Sequence, residues 1–140
     1  MSLKSVALLA AAVLFVPGAA LAAHGKVGLW ESTTSVSMPG MPAQAPHKAT
    51  YCMTADQVKA DTPPTDARSG CTYKNVSVQG HTFTADMVCT GQFTATGHFT
   101  STYDNDTHYT ATIGIAGDGF SMTNKIEGRW LKADCAGATQ

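Results

Sequence analysis

The sequence predicts a mainly β fold: an antiparallel up-and-down meander of about six to eight strands, curled into a barrel or half-barrel, with one short helix near residues 54–60 and two disulfides. Two observations carry this prediction. Between residues 79 and 130, large apolar side chains recur at every second position with polar side chains between them, as in strands with one apolar face. Four cysteines in a chain that begins with an export signal indicate two disulfide bonds.

The first 22 residues resemble a secretory signal peptide in their order of segments. Lys4 supplies a positive start, an apolar run covers residues 6–16, and Ala20-Leu21-Ala22 forms a small-x-small cleavage site. The apolar run is too short for a membrane span, and no second long apolar run follows. We therefore expect a single disulfide-bonded β domain over residues 23–140, in the periplasm or secreted.

The charge of the chain excludes one class of partner. The formal net charge is −1 at pH 7, only 14% of residues are charged, and Arg68 and Arg129 are the only arginines. Binding to nucleic acid needs a basic patch, which this composition does not supply. We therefore expect no nucleic-acid partner.

The N-terminal half carries the less regular elements. Residues 25–38 form a predicted first strand in which Trp30 anchors the core, and the prolines of residues 39–46 predict a loop. A second strand covers residues 47–53. Thr54 and Gln57 then form a capping box that begins the helix, and Pro63-Pro64 ends it.

Four hairpins follow, because each apolar residue has to face an apolar residue on the next strand. This requirement places loops at residues 80–81, 90–92, 104–106 and 117–118, each of which contains Gly, or Asn and Asp, as turns prefer. The predicted facing pairs are Val78–Phe83, Val76–Ala85, Phe83–Phe99, Met87–Ala95, Phe99–Ala111, Ala95–Ile115, Ile115–Phe120, Ile113–Met122 and Tyr109–Ile126.

The same register constrains the disulfides. Cys89 falls on the apolar face and Cys71 on the polar face, so a Cys71–Cys89 bridge is disfavoured, because Cβ vectors on opposite faces point apart. Two connectivities remain. We prefer Cys52–Cys71 with Cys89–Cys135, which clips the helix-containing loop to the sheet and ties the C-terminus to the core.

The scaffold residues resemble the domain of unknown function 3617 family of small exported bacterial proteins. The resemblance rests on Gly28-Leu29-Trp30-Glu31, on Met38-Pro39-Gly40, on Cys52-Met53-Thr54 and on the three later cysteines. It covers essentially the whole mature chain. The resemblance implies an exported, disulfide-bonded, mostly β domain, and it implies no activity.

Catalytic and metal sites find little support in the sequence. There is no Gly-x-Ser-x-Gly motif, the cysteines are expected to be oxidised, and the carboxylates are scattered among turns, so we expect no enzyme and no cofactor. The alternative is a soft-metal site for copper built from Met38, Met41 and His47, whose thioether and imidazole groups suit Cu(I).

The leading hypothesis is therefore a non-enzymatic exported domain, monomeric or weakly oligomeric, that binds an apolar small molecule or a periplasmic partner protein. A curled meander of this size can enclose an apolar pocket, and the same side chains can equally form a plain core. A third hypothesis is an interaction module that uses an exposed sheet edge. The candidate pocket or core residues are Trp30, Phe83, Met87, Phe93, Phe99, Tyr109, Ile113, Phe120 and Met122.

Overall fold

The computed structural model describes residues 25–59, 70–91 and 93–139, which form seven β-strands and one short α-helix. The predicted mainly β class is confirmed. The signal peptide predicted at residues 1–22 and the prolines predicted to end the helix lie outside the described residues. The elements in chain order are β1 (Gly28–Ser37), β2 (His47–Met53), α1 (Ala55–Lys59), β3 (Cys71–Gln79), β4 (Thr82–Cys89), β5 (Ala95–Asn105), β6 (His108–Gly117) and β7 (Phe120–Lys132).

All seven strands belong to one antiparallel sheet in the order β2-β1-β7-β6-β5-β4-β3. Neighbours in sequence from β3 to β7 are neighbours in space, so the predicted meander is confirmed. The last strand, β7, pairs with β1, which in turn pairs with β2. In the described part of the chain β2 and β3 are the two edges and do not pair with each other, so the sheet does not close into a barrel.

The sheet nevertheless curls strongly at the end where β1 begins. Trp30 on β1 and Tyr103 on β5 are three strands apart, which corresponds to about 14 Å in a flat sheet. Their ring centroids are 6.2 Å apart. The only described helix, α1, adds Val58 to the same aromatic cluster. A single layer can therefore bury its apolar face largely against itself.

The predicted alternation places the core correctly. On β4, Phe83, Ala85, Met87 and Cys89 are buried, while the residues between them are half-buried. Of the other predicted core residues, Trp30 and Phe99 are buried, and Tyr109, Ile113 and Met122 are half-buried. Phe93 and Phe120 differ from the prediction of core positions, because they are 40% and 36% exposed.

The predicted hairpins place the side chains of β4 to β7 on the correct faces of the sheet, but most of the predicted facing pairs are wrong. The Gly80-His81 turn and the Val78–Phe83 pair are as predicted, and Gly80 has the positive φ that such a turn needs. In the next three hairpins each partner lies two residues from its predicted position, and the loops are residues 90–94, 106–107 and 118–119. A displacement by two residues keeps every side chain on its face, so the apolar pattern does not distinguish the two registers.

A bulge in β3 overturns the predicted disulfides. Lys74 faces Asp86 and Ser77 faces Thr84. Between these two pairs β3 therefore contains one residue more than β4. Asn75 occupies the bulge with φ of 51°. The extra residue reverses the parity of the strand N-terminal to it, and Cys71 therefore lies directly opposite Cys89.

The disulfides are Cys71–Cys89 and Cys52–Cys135, with Cα–Cα distances of 3.9 and 5.3 Å. The predicted Cys52–Cys71 and Cys89–Cys135 bridges are wrong. The Cys52–Cys135 bridge forms because β1 pairs with β2 on one side and with β7 on the other. Leu29 faces Cys52 on one side and Lys132 on the other, so the residues just after β7 lie beside the end of β2.

The segment after β7 also covers part of the β2 edge. The backbone N–H of Thr139 donates to the carbonyl of Thr50 at 3.0 Å, and the N–H of Thr50 donates to Thr139 Oγ1 at 3.1 Å. The Cys52–Cys135 bridge holds this segment in place. The covered edge has fewer free backbone groups for pairing with another chain.

The start of α1 has the predicted capping box. The backbone N–H of Thr54 donates to Gln57 Oε1 at 2.8 Å, and that of Gln57 donates to Thr54 Oγ1 at 3.3 Å. Asp56 lies in the first turn and Lys59 in the last, which suits the helix dipole. These local contacts define the helix start without any buried residue on α1.

Trypsin should separate the two bridges cleanly, because its sites place the four cysteines in four peptides, residues 49–59, 69–74, 75–125 and 133–140. Under non-reducing conditions we expect the first peptide linked to the last and the two middle peptides linked to each other, measured by mass spectrometry. Linkage of the first two peptides would contradict the bulge register.

On the chain-entropy model, removing the Cys52–Cys135 bridge, with a sequence separation of 83, lowers the free energy of unfolding by about 4.5 kcal/mol. Removing the Cys71–Cys89 bridge, with a separation of 18, lowers it by about 3 kcal/mol.

Asn75→Val should lower the free energy of unfolding by about 1–2 kcal/mol, because a β-branched side chain is strained at positive φ. Asn75→Gly removes that strain and loses only the exposed hydrogen bond from Asn75 Nδ2 to Asp86 Oδ2, so its change should stay within about 1 kcal/mol. Thr72→Val on the same strand is the matched control, with a change within about 0.5 kcal/mol. Urea unfolding measures all three, and equal effects of the two valine variants would contradict the strain at Asn75.

Candidate functional site

The apolar face of the sheet is not uniformly buried. Apolar-face residues of β4 and β5 are buried, whereas those from the middle of β6 across β7 to β1 are mostly half-buried. The face therefore divides into a region of buried side chains and a region whose side chains are partly exposed. The two regions differ in the size of their side chains and in what they can bind.

The filled region lies at the curled end of the sheet. Trp30 is fully buried, and its ring lies 5.6 Å from Tyr109, which lies 5.2 Å from Tyr103. The Tyr109 ring packs on Gly128 of the neighbouring strand so closely that a Cβ there has no room. The Nε1–H of Trp30 donates to the carbonyl of Lys26 at 2.8 Å. This region is an aromatic core whose rings pack directly on one another.

The tyrosines of this region are neutral and structural. The hydroxyls of Tyr51 and Tyr109, from β2 and β6, are hydrogen-bonded at 3.0 Å. Burial raises the pKa of Tyr51 far above its ordinary value and also raises the pKa of Tyr109. Burial likewise raises the pKa of Tyr103 to about 12. The raised pKa values favour the neutral form of these tyrosines, whose rings belong to the core.

We call the second region the open face and define it by five half-buried residues around one cross-strand row. Asn124 of β7 faces Ile113 of β6 on one side and Val36 of β1 on the other. Met122 and Ile126 precede and follow Asn124 on the same face of β7. All five side chains are half-buried in the structure. Four of the five are apolar, so the open face suits an apolar molecule.

Two phenylalanines stand at one end of the open face. The Phe120 ring lies over Gly117 and contacts Phe93 edge to face, with 5.8 Å between ring centroids. Both rings are more than a third exposed. Predicted as pocket or core residues, they form a partly exposed apolar rim where the β4–β5 loop meets the β6–β7 turn.

Asn124 is the residue that the sequence interpretation missed. Its Oδ1 atom is buried and has no hydrogen-bond partner. An unpartnered buried acceptor costs about 1–3 kcal/mol of stability, which makes it rare in native structures. The sequence did contain a signal, because residue 124 has the same parity as Met122 and Ile126 and so belongs to the apolar face.

The predicted soft-metal residues lie in and beside the β1–β2 loop. Met38 is half-buried, Met41 is 54% exposed, and the Met41 N–H donates to the Met38 carbonyl at 3.2 Å. His47 begins β2 and faces Thr34 on β1. Among the described residues, no group of three or more His, Cys, Asp and Glu side chains could hold a metal ion.

A polar cluster occupies the other face of the sheet, at the β5–β6 turn. The Nδ1 atom of His108 lies 2.6 Å from Asp104 Oδ1, and its Nε2 atom lies 2.9 Å from Glu127 Oε1. Arg129 Nη2 donates to the same Glu127 oxygen at 2.6 Å. Asp104, His108 and Arg129 also border a shallow groove of about 510 Å³, together with Asn105, Thr107, Trp130 and Leu131.

The cluster is best described as an ion-pair network. Hydrogen bonds to Glu127 and Asp104 raise the pKa of His108, since both ring nitrogens can donate only when the imidazole is protonated. The same contacts lower the pKa of Asp104, and with Arg129 they lower the pKa of Glu127. Each ionisable group here already has a partner, so the network ties the β5–β6 turn to β7.

The network predicts how stability depends on pH. Because the folded pKa of His108 is raised, its contribution is complete below the unfolded value of about 6.5 and is lost as pH rises through the folded pKa. Asp104 and Glu127 have lowered values, so their contribution is present above about pH 4.5 and is lost as pH falls through their folded pKa.

We therefore expect the difference in urea midpoint between the unchanged protein and His108→Asn to be largest near pH 5.5 and to shrink above pH 7. Each protein is measured across this range, which removes the titration of the other histidines from the comparison. His81→Asn, in the exposed β3–β4 turn, is the control and should differ little from the unchanged protein at any pH. A difference for His108→Asn that is constant with pH would contradict the charged network.

One of three comparisons with known proteins identifies a family. No curated protein and no solved structure matches the chain. A family model described as "Protein of unknown function (DUF3617)" matches residues 25–135, a range that ends at the last cysteine. The resemblance seen in the sequence is confirmed, and the chain belongs to the DUF3617 family.

Proposed function

We propose that this chain is an exported, non-enzymatic binding protein that takes up an apolar small molecule on the open face. The observation that carries the proposal is the uneven burial of one continuous apolar face, which is packed solid around Trp30 and only half-buried around Asn124. Apolar surface left accessible next to a finished core is a common feature of binding sites.

The shape of the open face supports a small, elongated ligand. Along β7, Phe120 and Ile126 are six residues apart, which corresponds to about 20 Å of strand. Across the strands, the face runs from Ile113 to Val36, which is two strand spacings or about 10 Å. An area of this size covers a small molecule and is well below the area of a stable protein–protein interface.

The chemistry of the open face supports binding without catalysis. Its one polar member, Asn124, carries an amide that does not ionise and therefore does not act as a general acid or base. The ionisable network around His108 lies on the opposite face of the sheet.

Export is supported by the two disulfides and by the sequence of residues 1–22. Disulfides form and persist in oxidising compartments such as the periplasm. A periplasmic or secreted protein meets apolar molecules that cross or leave membranes, and a half-buried face of the kind seen here suits them.

The test uses an uncharged fluorescent probe, N-phenylnaphthylamine, which brightens in apolar surroundings. Met122→Lys places an ammonium group on the open face, where its desolvation opposes an apolar ligand, and should weaken probe binding at least about tenfold. Val76→Lys is the matched control, because Val76 is 44% exposed in the β3 bulge, away from the open face. Binding of the probe that is equal in both variants, or no binding to the unchanged protein, would overturn the proposed function.

A further inference from the structure

We infer that the shallow groove at the β5–β6 turn is a second binding site, separate from the open face, and that its ligand is a neutral sugar. The groove has a volume of about 510 Å³, which is within the usual range of roughly 300–1,000 Å³ for small-molecule sites. The inference does not rest on the proposed function, because no residue that lines the groove belongs to the open face.

Two neighbouring residues give the groove an apolar surface. Leu131 is 47% exposed and Trp130 is half-buried, and both line the groove. The Trp130 ring is held in place, because its Nε1–H donates to the Val27 carbonyl at 3.1 Å and Lys26 Nζ lies 5.1 Å from the ring centroid. Since the one donor of the indole is already used, the ring contributes apolar surface, on which the C–H groups of a sugar can pack.

The polar side chains of the groove keep hydrogen-bonding capacity that the ion-pair network does not use. A guanidinium has five N–H groups, and among the described residues the Arg129 side chain donates only to Glu127, through Nη2. Asn105 Oδ1 accepts from the N–H and the hydroxyl of Thr107 at 2.8 and 2.7 Å, whereas Asn105 Nδ2 has no partner in the described part of the chain. The exposed Asp104 carboxylate has lone pairs for further donors. Hydroxyl groups both donate and accept, so a sugar can use both kinds of group.

The charges around the groove disfavour an ionised ligand. Asp104 and Glu127 lie against the two ring nitrogens of His108, and Glu127 also accepts from Arg129. Asp104 and Arg129 both line the groove. An anion drawn to Arg129 therefore meets the Asp104 carboxylate, and a cation drawn to Asp104 meets the Arg129 guanidinium. A ligand without net charge avoids both conflicts.

The experiment uses three probes that share one ring and differ in charge: methyl β-glucoside, methyl β-glucuronide and methyl β-glucosaminide. Binding is followed in ¹H–¹⁵N spectra of the disulfide-bonded protein near pH 6. The uncharged glucoside should bind with a Kd of about 1–10 mM and at least about threefold more tightly than either charged probe. The signals of the Trp130 indole and the Asn105 side-chain amide should shift, and that of the Asn124 amide, on the open face, should not.

Two variants that each lose one positive charge from β7 locate the site. Arg129→Gln removes the guanidinium from the groove and should weaken glucoside binding at least about fivefold. Lys132→Gln is the matched control, because Lys132 does not line the groove and pairs with Asp134 at 3.1 Å. Its affinity for the glucoside should stay within about twofold of the unchanged protein.

The results that would overturn the inference are distinct from those that bear on the open face. Tighter binding of either charged probe, or no binding of any of the three, would overturn the neutral sugar as the ligand. Equal losses in the two variants would overturn the groove as the site. Neither result affects the binding of N-phenylnaphthylamine to the open face. If Arg129→Gln fails to fold, the three probes and the shifted signals of the unchanged protein decide the inference.

Discussion

The fold depends on one constraint: the described residues form a single sheet and one short helix, so the sheet has to bury its apolar face mainly against itself. The pairing of β1 with β7 makes this possible, because it extends the meander and brings Trp30 around to Tyr103 and Tyr109. Once Trp30 is buried there, the N-terminal strand, the last strand and the β5–β6 hairpin are held together. The Cys52–Cys135 bridge and the segment that covers the β2 edge follow from the same arrangement, since both join residues beside β1.

The sequence predicted correctly which face of the sheet a side chain lies on, because faces alternate along a strand. The prediction failed where a bulge interrupts this alternation and where two registers place the same side chains on the same face. Phe83, Met87 and Phe99 are buried as predicted, because alternation on a strand assigns a face whatever the register. The three later hairpins differ by two residues from the prediction, and only turn and packing energies separate such registers. The bulge at Asn75 is more consequential, because one inserted residue exchanges the two faces and places Cys71 opposite Cys89.

Long-range pairing was the second limit on prediction. Nothing local to Cys52 or Cys135 indicates that β1 lies between their segments, so the bridge could not be derived from hairpin reasoning. Asn124 is a different case. Its parity placed it on the apolar face, and an amide between Met122 and Ile126 was a visible exception to the pattern. Polar exceptions inside an otherwise apolar alternation are therefore informative even when the register is uncertain, because they are costly unless they have a partner.

The distribution of side-chain volume explains why one half of the face is open. The curled end carries Trp30, Tyr51, Tyr103 and Tyr109, whose rings fill the space enclosed by the sheet and leave room for only glycine at position 128. The row through Asn124 carries smaller neighbours, Val36 and Ile113, in place of aromatic rings. Aromatic residues return only at the rim, as Phe93 and Phe120. A small apolar residue at position 124 would leave no unpaired polar atom. The Asn124 amide oxygen is buried without a hydrogen bond, which lowers the stability of the fold. Partly exposed apolar side chains and a polar exception thus occur together on the half of the face that carries no aromatic cluster.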